Sequence, residues 1–330
     1  MTDDARHLER AIELAELGRG TTRPNPLVGA VVVANGEVVG EGWHERPGLP
    51  HAETLALDAA GDRARGATLY VTLEPCIHAG RTPPCADAVV AAGIARAVVG
   101  TQDPYEPVDG RGLALLREAG IEVTLAEGVL ARHVRRQNEA FLTWASEHRP
   151  FVTYKAAMTL DGRLAASSGD ARWVSGEESR RRTHELRAAS DAVAVGMGTV
   201  RAESPRLDAR GVDAPRQPRR LAFGQGPLPE GSELELVEEP LDEALRRLAD
   251  EEVQSLLLEG GPTLAGAFLR AGLLDKLVLF VTPTLIGGDD APPLFAGPGA
   301  ATLAEAIRLS GLEIDRAGED VVLTAYIREP

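Results

Sequence analysis

The spacing of apolar residues predicts alternating helices and strands through the first half of the chain. Leu8, Ile12 and Ala15 share one face of a helix over 3–17, and Gly18 follows as a stop signal. A β-branched run then leads into Asn35-Gly36, which is typical of a two-residue hairpin turn. The other elements predicted in this half are helices over 51–60, 84–93, 111–119 and 128–147 and strands over 27–33, 37–42, 68–73, 96–100 and 121–125. This order predicts a sheet with helices on both faces.

Arg149-Pro150 marks the predicted boundary with a second, strand-rich half. A chain of 330 residues is long enough for two average domains. The elements predicted beyond the boundary are strands over 151–157, 191–197, 219–223, 254–258, 276–282 and 320–327 and helices over 176–189 and 262–272. We therefore predict one α/β domain over residues 1–148 and another over residues 149–330.

The chain carries 50 acidic and 35 basic residues, which gives a formal net charge of −15. Such a surface repels phosphate backbones, so nucleic acid is not expected as a partner. An anionic small molecule would need a locally basic pocket. The charged N-terminus has no signal-peptide core, and no run reaches the roughly 18 apolar residues of a membrane span. The sequence therefore predicts a soluble, cytoplasmic protein without a membrane partner.

A candidate metal site lies between His51 and Cys85. His51-Ala52-Glu53, followed by Pro75-Cys76 and then by Cys85, has the pattern of zinc deaminases. Such a site uses one imidazole and two thiolates and leaves the fourth tetrahedral position to water. Zinc lowers the pKa of that water to about 7, and the glutamate carries protons without binding the metal. Eight residues separate the two cysteines here, whereas the usual spacing is C-x-x-C.

Two other interpretations of these residues stay open. The chain has only two cysteines, which could form a disulfide, although no secretory signal is present. The cluster could also be a structural zinc site, but such sites use four protein ligands, and three are evident here. The zinc deaminase interpretation carries a geometric condition. Residues two apart on a helix point about 200° apart, so His51 and Glu53 converge only if His51 lies in the turn that opens the helix.

Three features of the second half suggest ligand binding. Glu259–Pro262 joins a strand to a helix through two glycines, and bare amides at a helix start bind phosphate groups. A plain strand–helix connection is the alternative. Gly196–Gly198 begins a glycine fingerprint whose third glycine is replaced by Arg201, so a simple tight turn is equally compatible. Lys155 is one of only two lysines, so a need for its compact ammonium and an ordinary strand position are equally compatible.

Taken together, these residues resemble the bifunctional deaminase–reductase family of riboflavin biosynthesis over nearly the whole chain. In the first half the resemblance rests on residues 22–29, 40–44, 51–53 and 72–85. In the second half it rests on Lys155, Trp173 and residues 160–162, 186–187, 198–200, 205–207 and 259–264. The resemblance implies a cytidine-deaminase-like N-terminal domain of three α/β/α layers and a dihydrofolate-reductase-like α/β C-terminal domain.

The same resemblance implies a zinc-dependent hydrolytic deamination of 2,5-diamino-6-ribosylamino-4(3H)-pyrimidinone 5′-phosphate. An NADPH-dependent reduction of the ribosyl group to ribityl would follow. The implied cofactors are one Zn²⁺ per chain and NADPH, and the expected assembly is a homo-oligomer, either a dimer or a tetramer. In the first domain the implied residues are zinc ligands His51, Cys76 and Cys85, proton shuttle Glu53 and substrate contacts Asn25, His44 and Arg81. In the second they are substrate contacts Lys155, Arg187, Leu207, Arg210 and Glu259 and cofactor contacts Ala157, Trp173, Thr199, Glu203, Gly260 and Gly261.

The chain departs from the family pattern at Tyr105-Glu106, Ala171, Glu203-Ser204 and the stretch 221–225. The last stretch lacks an Asp-Ser pair that contacts the cofactor in the family, and residues 225–253 read as though an element were missing. Two alternatives therefore stay open. The second half could bind a ligand without reducing it, or the chain could be a polynucleotide base deaminase, which the charge of −15 disfavours.

Overall fold

Two units make up the chain, Met1–Glu147 with Pro330 and His148–Glu329. The structure is a computed structural model that describes residues 2–77, 84–170 and 175–330. The elements of the first unit are helices α1 (Asp3–Glu16), α2 (Ala52–Ala60), α3 (Cys85–Ala91), α4 (Arg111–Glu118), α5 (Gly128–Gln137) and α6 (Glu139–Glu147), strands β1 (Gly29–Ala34), β2 (Glu37–Trp43), β3 (Thr68–Leu73), β4 (Arg96–Thr101) and β5 (Glu122–Leu125), and a short 3₁₀ turn at Gly61–Ala64.

The sheet of the first unit has the order β2-β1-β3-β4-β5. β1 runs antiparallel to both β2 and β3, whereas β3, β4 and β5 are parallel. One face of the sheet packs on α1 and α5 through a cluster that includes Leu8, Val31 and Tyr70. The other face packs on α2, α3 and α4. This arrangement confirms the predicted three-layer α/β/α fold and explains why β1 is apolar on both faces.

Two glycines let helices lie directly on the sheet. A Cβ atom at Gly29 would stand 2.0 Å from the carbonyl oxygen of Ala11 in α1. A Cβ atom at Gly40 would stand 2.0 Å from the carbonyl oxygen of Ala56 in α2. Because both distances are far below van der Waals contact, any larger residue would push the helix away from the strand. The second contact fixes the position of α2, which follows His51 and carries Glu53.

The single helix predicted over 128–147 is two helices, α5 and α6, which meet at Asn138. The buried Asn138 side chain accepts a hydrogen bond from the backbone nitrogen of Leu27 at 2.8 Å. It also donates to the backbone oxygen of Leu27 at 2.9 Å. An asparagine amide that satisfies a distant backbone in this way competes with the helix. The apolar spacing alone could not reveal this break.

The second unit is built on an eight-stranded sheet with the order β12-β13-β11-β6-β10-β7-β8-β9. Its elements are strands β6 (Phe151–Thr159), β7 (Ala192–Gly196), β8 (Arg219–Phe223), β9 (Glu235–Val237), β10 (Ser255–Leu258), β11 (Lys276–Thr282), β12 (Ser310–Ala317) and β13 (Asp320–Tyr326) and helices α7 (Glu177–Ala189), α8 (Met197–Glu203), α9 (Leu241–Asp250) and α10 (Pro262–Arg270). The strands from β11 to β9 are parallel, so their carboxyl ends meet at one edge. Apolar residues pack α9 and α10 on one face and α7 and α8 on the other.

Four elements of this unit were not predicted, namely α8, β9, α9 and β12. The stretch 225–253, which reads as short against the family pattern, contains β9 and α9. The signal for α9 was present, because Ala244, Leu245 and Leu248 form a buried helical stripe. β12 gave no such signal, because most of its residues are exposed. Gly196–Gly198 is not a simple turn, because α8 begins at Met197.

Strand β6 is held at its start by a buried ion pair. The Arg149 guanidinium donates two hydrogen bonds of 2.7 Å to the carboxylate of Asp275. The same carboxylate accepts a hydrogen bond of 2.8 Å from the backbone nitrogen of Val152. This network fixes the beginning of the strand that carries Lys155. Among the helices that the structure describes, none is both long enough and apolar enough to cross a bilayer.

Candidate active sites

His51 stands at the N-cap of α2, with an extended backbone (φ −77°, ψ 164°). Its carbonyl oxygen accepts the hydrogen bond of the Leu55 nitrogen at 3.2 Å, so the helix begins immediately after it. Glu53 follows in the first turn of the helix. This is the position that the spacing of His51 and Glu53 required for both side chains to reach one point.

Cys76 and Cys85 complete a cluster with His51. Cys76 lies three residues beyond the end of β3, and Cys85 is the buried first residue of α3. The His51 Nδ1 atom lies 3.1 Å from Cys85 Sγ and 3.6 Å from Cys76 Sγ. All three ligand atoms lie within 4.8 Å of one another. Tetrahedral zinc with ordinary bond lengths would separate its ligands by about 3.6 to 3.8 Å, so this donor set fits the ion.

Glu53 lies against this cluster and is 3 % exposed. Its Oε2 atom is buried and has no hydrogen-bond partner among the described residues. An acceptor buried without a partner costs free energy, so this atom indicates a missing ligand such as water. Burial raises the pKa of Glu53 to about 7, and the negative charge of Cys76 adds to this effect. A carboxyl group with these properties suits proton transfer.

A hydrogen bond between the two sulfur atoms shifts their pKa values in opposite directions. The hydrogen bond from the Cys85 thiol lowers the pKa of Cys76 to about 4, and His51 contributes to the shift. The same hydrogen bond raises the pKa of Cys85, and burial adds to that rise. The pair therefore carries one negative charge, and the binding of a dication would release the remaining proton.

Glu74 is a buried structural carboxylate that the motif did not reveal as such. It accepts hydrogen bonds from the backbone nitrogens of Gly110 at 3.0 Å, Leu113 at 3.0 Å and Asp103 at 3.2 Å. Two of these donors belong to the start of α4, where a negative charge is stabilising. Glu74 thus ties α4 to the segment that leads into Cys76. The only sequence signal of this role was the position of Glu74, directly after a predicted strand and before Pro75-Cys76.

Asn25 and His44 lie beside His51. The His44 ring meets the His51 ring edge-on, with 5.1 Å between centroids. His44 Nδ1 donates to the carbonyl oxygen of Pro50 at 3.3 Å, and Asn25 Nδ2 lies 3.0 Å from His44 Nε2. Burial lowers the pKa of His44, so the ring is neutral and accepts from the amide. Arg81, the third substrate contact expected in this domain, lies outside the described residues.

The departure at Tyr105 places an aromatic ring beside a buried carboxyl group. The backbone nitrogen of Tyr105 donates to Asp103 Oδ1 at 2.8 Å. Its ring stacks on Trp144, with 6.0 Å between centroids and 20° between the planes. Burial raises the pKa of Asp103 to about 7, with a further contribution from the charge of Glu74. Through its contact with Trp144, the Tyr105 ring belongs to the apolar cluster that α6 contributes.

In the second unit, three charged side chains meet on the α7 face of the sheet. Arg187 of α7 donates to both carboxylate oxygens of Glu259, from Nε at 2.6 Å and from Nη2 at 3.0 Å. Its Nη1 atom donates to the carbonyl oxygen of Asp208 at 3.1 Å. Lys155 on β6 places its ammonium 5.5 Å from the centre of the Phe280 ring. The neighbouring parallel strands β6 and β10 pair Tyr154 with Leu258, so Lys155 and Glu259, the next residues along, lie side by side.

The charges of this cluster are strongly coupled. Burial lowers the pKa of Lys155, and Arg187 lowers it further, whereas Glu259 opposes both effects. Burial alone would raise the pKa of Glu259, but the hydrogen bond and charge of Arg187 outweigh it and lower the pKa. Two cations therefore share one carboxylate. The remaining positive charge suits an anionic or strongly polar ligand.

Glycines leave an open floor at the ends of β7 and β10. Gly261 is the N-cap of α10, without a side-chain cap in the described structure, and Pro262 is the first helical residue. A Cβ atom at Gly261 would lie 3.8 Å from Thr199 Oγ1. Next to Gly198, the described residues place no atom within 4 Å of such a Cβ. Bare helix amides above a floor without side chains fit the phosphate groups of a dinucleotide.

The other residues expected to contact substrate or cofactor in the second unit differ in burial and in backbone conformation. Ala157 lies on the same face of β6 as Lys155. Leu207 is buried with a left-handed backbone (φ +54°), a costly conformation for a leucine. Glu203 and Arg210 are exposed, and the Arg210 guanidinium pairs with Asp208. Trp173 and Ala171 lie outside the described residues.

Comparison with known proteins agrees with this architecture. Residues 1–101 match the cytidine and deoxycytidylate deaminase zinc-binding region, and residues 150–323 match the RibD C-terminal domain. The riboflavin biosynthesis protein RibD of Aquifex aeolicus is 39 % identical over 97 % of both chains. That of Escherichia coli is 39 % identical over 97 % of this chain and 98 % of its own. The chain belongs to the RibD family.

Solved RibD structures extend the similarity to the whole chain. RibD of Acinetobacter baumannii superposes with a TM-score of 0.87 at 36 % identity, covering 98 % of both chains. A diaminohydroxyphosphoribosylaminopyrimidine deaminase/5-amino-6-(5-phosphoribosylamino)uracil reductase of Thermotoga maritima gives 0.83 at 33 % identity, with the same coverage. The predicted family and fold are confirmed. As a RibD protein, the chain is a bifunctional deaminase and reductase of riboflavin biosynthesis that uses Zn²⁺ and NADPH.

Proposed function

We propose that residues 1–148 deaminate the pyrimidine substrate with His51, Cys76 and Cys85 as zinc ligands. The convergence of three ligand atoms within 4.8 Å, next to the unpartnered Oε2 of Glu53, carries this proposal. Zinc supplies a hydroxide nucleophile at neutral pH. Glu53 passes the first proton of the attacking water to a ring nitrogen and the second to the departing amino group, which leaves as ammonia.

The remaining residues of this unit orient the substrate. Asn25 and His44 hydrogen-bond to each other beside His51 and present a fixed pair of polar groups to the ring. Arg81, by family resemblance, contacts the 5′-phosphate. The substrate is 2,5-diamino-6-ribosylamino-4(3H)-pyrimidinone 5′-phosphate, in agreement with the activity named for the T. maritima relative.

For residues 149–330 we propose reduction of the ribosyl group to ribityl. NADPH supplies the hydride. The Lys155 ammonium donates a hydrogen bond to the ribose ring oxygen, which gains negative charge as its bond to C1′ breaks. The hydride adds to C1′, which keeps its bond to the amine nitrogen. Arg187, held by Glu259, and Arg210 supply positive charge for the phosphate, and Leu207 lines the same pocket. Ala157, Trp173, Thr199, Glu203, Gly260 and Gly261 contact the cofactor.

Removal of the metal should separate the two activities. We expect a chelator to abolish ammonia release from the pathway substrate, because only the first unit holds the His/Cys/Cys cluster among the described residues. NADPH consumption on deaminated substrate should continue, and added Zn²⁺ should restore ammonia release. A paired assay of ammonia, NADPH absorbance and metal content measures all three. Unchanged NADPH absorbance with active deaminase would instead favour a second unit that binds without reducing.

We infer that the chain assembles as a homodimer or larger homo-oligomer through the edge of the second sheet. β12 is an edge strand, and Leu312 and Ile314 on it are 63 % and 70 % exposed. Leu303, Ile307 and Leu309, in the segment that precedes β12, are exposed as well. Exposed apolar residues on an open edge strand are typical of an interface. Sedimentation should show an oligomer that Ile314→Glu weakens and that Val129→Glu, an exposed apolar control on α5, leaves intact. A monomeric unmodified chain would contradict the inference.

We also infer that nucleic acid is not a substrate, because a chain with a net charge of −15 repels it. Retention of transfer RNA at low salt would contradict this inference. A cytoplasmic location fits reactions that start from a phosphorylated metabolite and consume NADPH, and cell fractionation tests it.

A further inference from the structure

At the carboxyl edge of the second sheet, the guanidinium group of Arg201 has no carboxylate partner among the described residues. Arg201 is exposed on α8, and within the described chain its single hydrogen bond runs from Nη2 to the carbonyl oxygen of Gln225 at 2.6 Å. Two other arginines differ from it in this respect. Arg206, five residues further along the chain, pairs with Asp208, and Arg220 on β8 pairs with Glu233. Arg201 therefore keeps most of its donors available for a ligand.

The position of Arg201 follows from the order of the strands. Along the shared carboxyl edge the order is β6, β10, β7, β8. Lys155 lies on β6, the glycine floor lies at the ends of β10 and β7, and Gln225 follows the end of β8. Neighbouring strands are about 4.8 Å apart, so Arg201 lies roughly 14 Å along the edge from β6. An extended dinucleotide with its nicotinamide near Lys155 and its phosphates on the glycine floor would bring its adenosine half to Arg201.

The loop after β8 keeps this end of the cleft open. Gly224 and Gly226 have left-handed backbones (φ +129° and +102°). A Cβ atom at Gly226 would lie 3.0 Å from Arg201 Nη2, and one at Gly224 would lie 3.2 Å from Met197. A side chain at Gly226 would crowd Arg201, and one at Gly224 would crowd Met197 at the start of α8. This is also the stretch in which the family's Asp-Ser pair is absent, so a different group must recognise the adenosine end here.

We propose that Arg201 binds the 2′-phosphate of NADPH and sets the preference of this chain for NADPH over NADH. The proposal rests on the proposed reductase function. A planar guanidinium binds a phosphate dianion through two parallel hydrogen bonds, and arginine is used for the 2′-phosphate in other dinucleotide sites. On a chain with a net charge of −15, one unneutralised cation at the adenosine end supplies attraction that the rest of the surface does not.

Direct binding tests this role without an activity assay. The probes are NADPH and NADH, followed by fluorescence, and the fragments 2′,5′-ADP and 5′-AMP, followed by calorimetry. Arg201→Gln should weaken the binding of NADPH and of 2′,5′-ADP roughly 10- to 100-fold. The affinities for NADH and 5′-AMP should stay within about twofold of those of the unmodified chain. Arg201→Lys should retain part of the affinity. Arg246→Gln removes an exposed arginine of α9 that pairs with Asp242, and it should change nothing.

Two results would overturn the proposal in different ways. Suppose first that the unmodified chain binds NADPH. If Arg201→Gln then weakened the binding of NADPH and NADH equally, or weakened neither, Arg201 would not recognise the 2′-phosphate. If the unmodified chain bound neither nucleotide, the reductase function itself would fail. Unchanged binding of NADH and 5′-AMP by the variants shows that the second unit is folded.

Discussion

Replacing Glu53 by glutamine is expected to lower the rate of deamination roughly 10²- to 10⁴-fold, the usual contribution of a positioned general acid–base group. Glutamine keeps the shape of the side chain but cannot accept or return a proton. The zinc content should not change, because the three ligand atoms of His51, Cys76 and Cys85 do not include the Glu53 carboxylate. Ammonia release and metal analysis on the same preparation measure both effects.

Asp58→Asn is the matched control for this experiment. Asp58 lies on the exposed side of α2, so its loss removes the same charge from the same helix without touching the cluster. We expect it to deaminate at the normal rate. NADPH-dependent reduction should be normal in both variants. Full deaminase activity in Glu53→Gln would refute the proton-transfer role, and loss of zinc would show that the carboxylate supports the metal instead.

The first site was predictable because its chemistry is local in sequence. His51 and Glu53 are two residues apart, Cys76 follows a predicted strand, and Cys85 lies in the first turn of a predicted helix. A strand end and two helix starts then bring the ligands together with few degrees of freedom. The extended backbone of His51 satisfies the one geometric condition that the spacing imposed.

Features that depend on distant contacts were not predictable in the same way. Asn138 interrupts a helix to bind Leu27, which is 111 positions earlier in the chain. Glu74 stabilises α4 through backbone nitrogens up to 39 positions away. Polar side chains that bond to remote backbone leave no periodic pattern in the sequence. β12 was missed for a different reason, since an exposed edge strand needs no alternation of apolar residues.

The departures from the family pattern divide into two kinds. Tyr105 is accommodated by packing on Trp144, so the loop after β4 keeps an apolar support. The stretch after β8 instead exchanges side-chain contacts for glycines and places Arg201 over them. The first change leaves the zinc cluster untouched. By the proposal made for Arg201, the second change moves recognition of the cofactor onto α8, outside the glycine fingerprint of the sequence.

Glu259→Gln is expected to reduce NADPH-dependent reduction about 10²-fold or more and to lower the free energy of unfolding of the second unit by about 3 to 5 kcal/mol. Glu259 holds Arg187 through two hydrogen bonds and also faces Lys155. Glutamine leaves both cations nearly buried without a neutralising charge. Deamination by the same molecule should be unaffected, which provides an internal control. Urea unfolding and the two rate assays measure the outcome.

The pH dependence of the same variant tests whether the ammonium form of Lys155 is required. In the unmodified chain burial lowers the pKa of Lys155, so between that pKa and about 10.4 the unfolded state binds more protons. Stability therefore rises with pH through this window. Without Glu259, which opposes the lowering, the pKa of Lys155 falls further and the window extends to lower pH. The fall of the reduction rate at high pH, the alkaline limb of its pH profile, should move to lower pH as well.

Glu233→Gln is the control, because it breaks an exposed ion pair with Arg220. It should alter the free energy of unfolding by at most about 1 kcal/mol and leave the alkaline limb in place. If the alkaline limb did not move in Glu259→Gln, the protonated form of Lys155 would not be required for reduction.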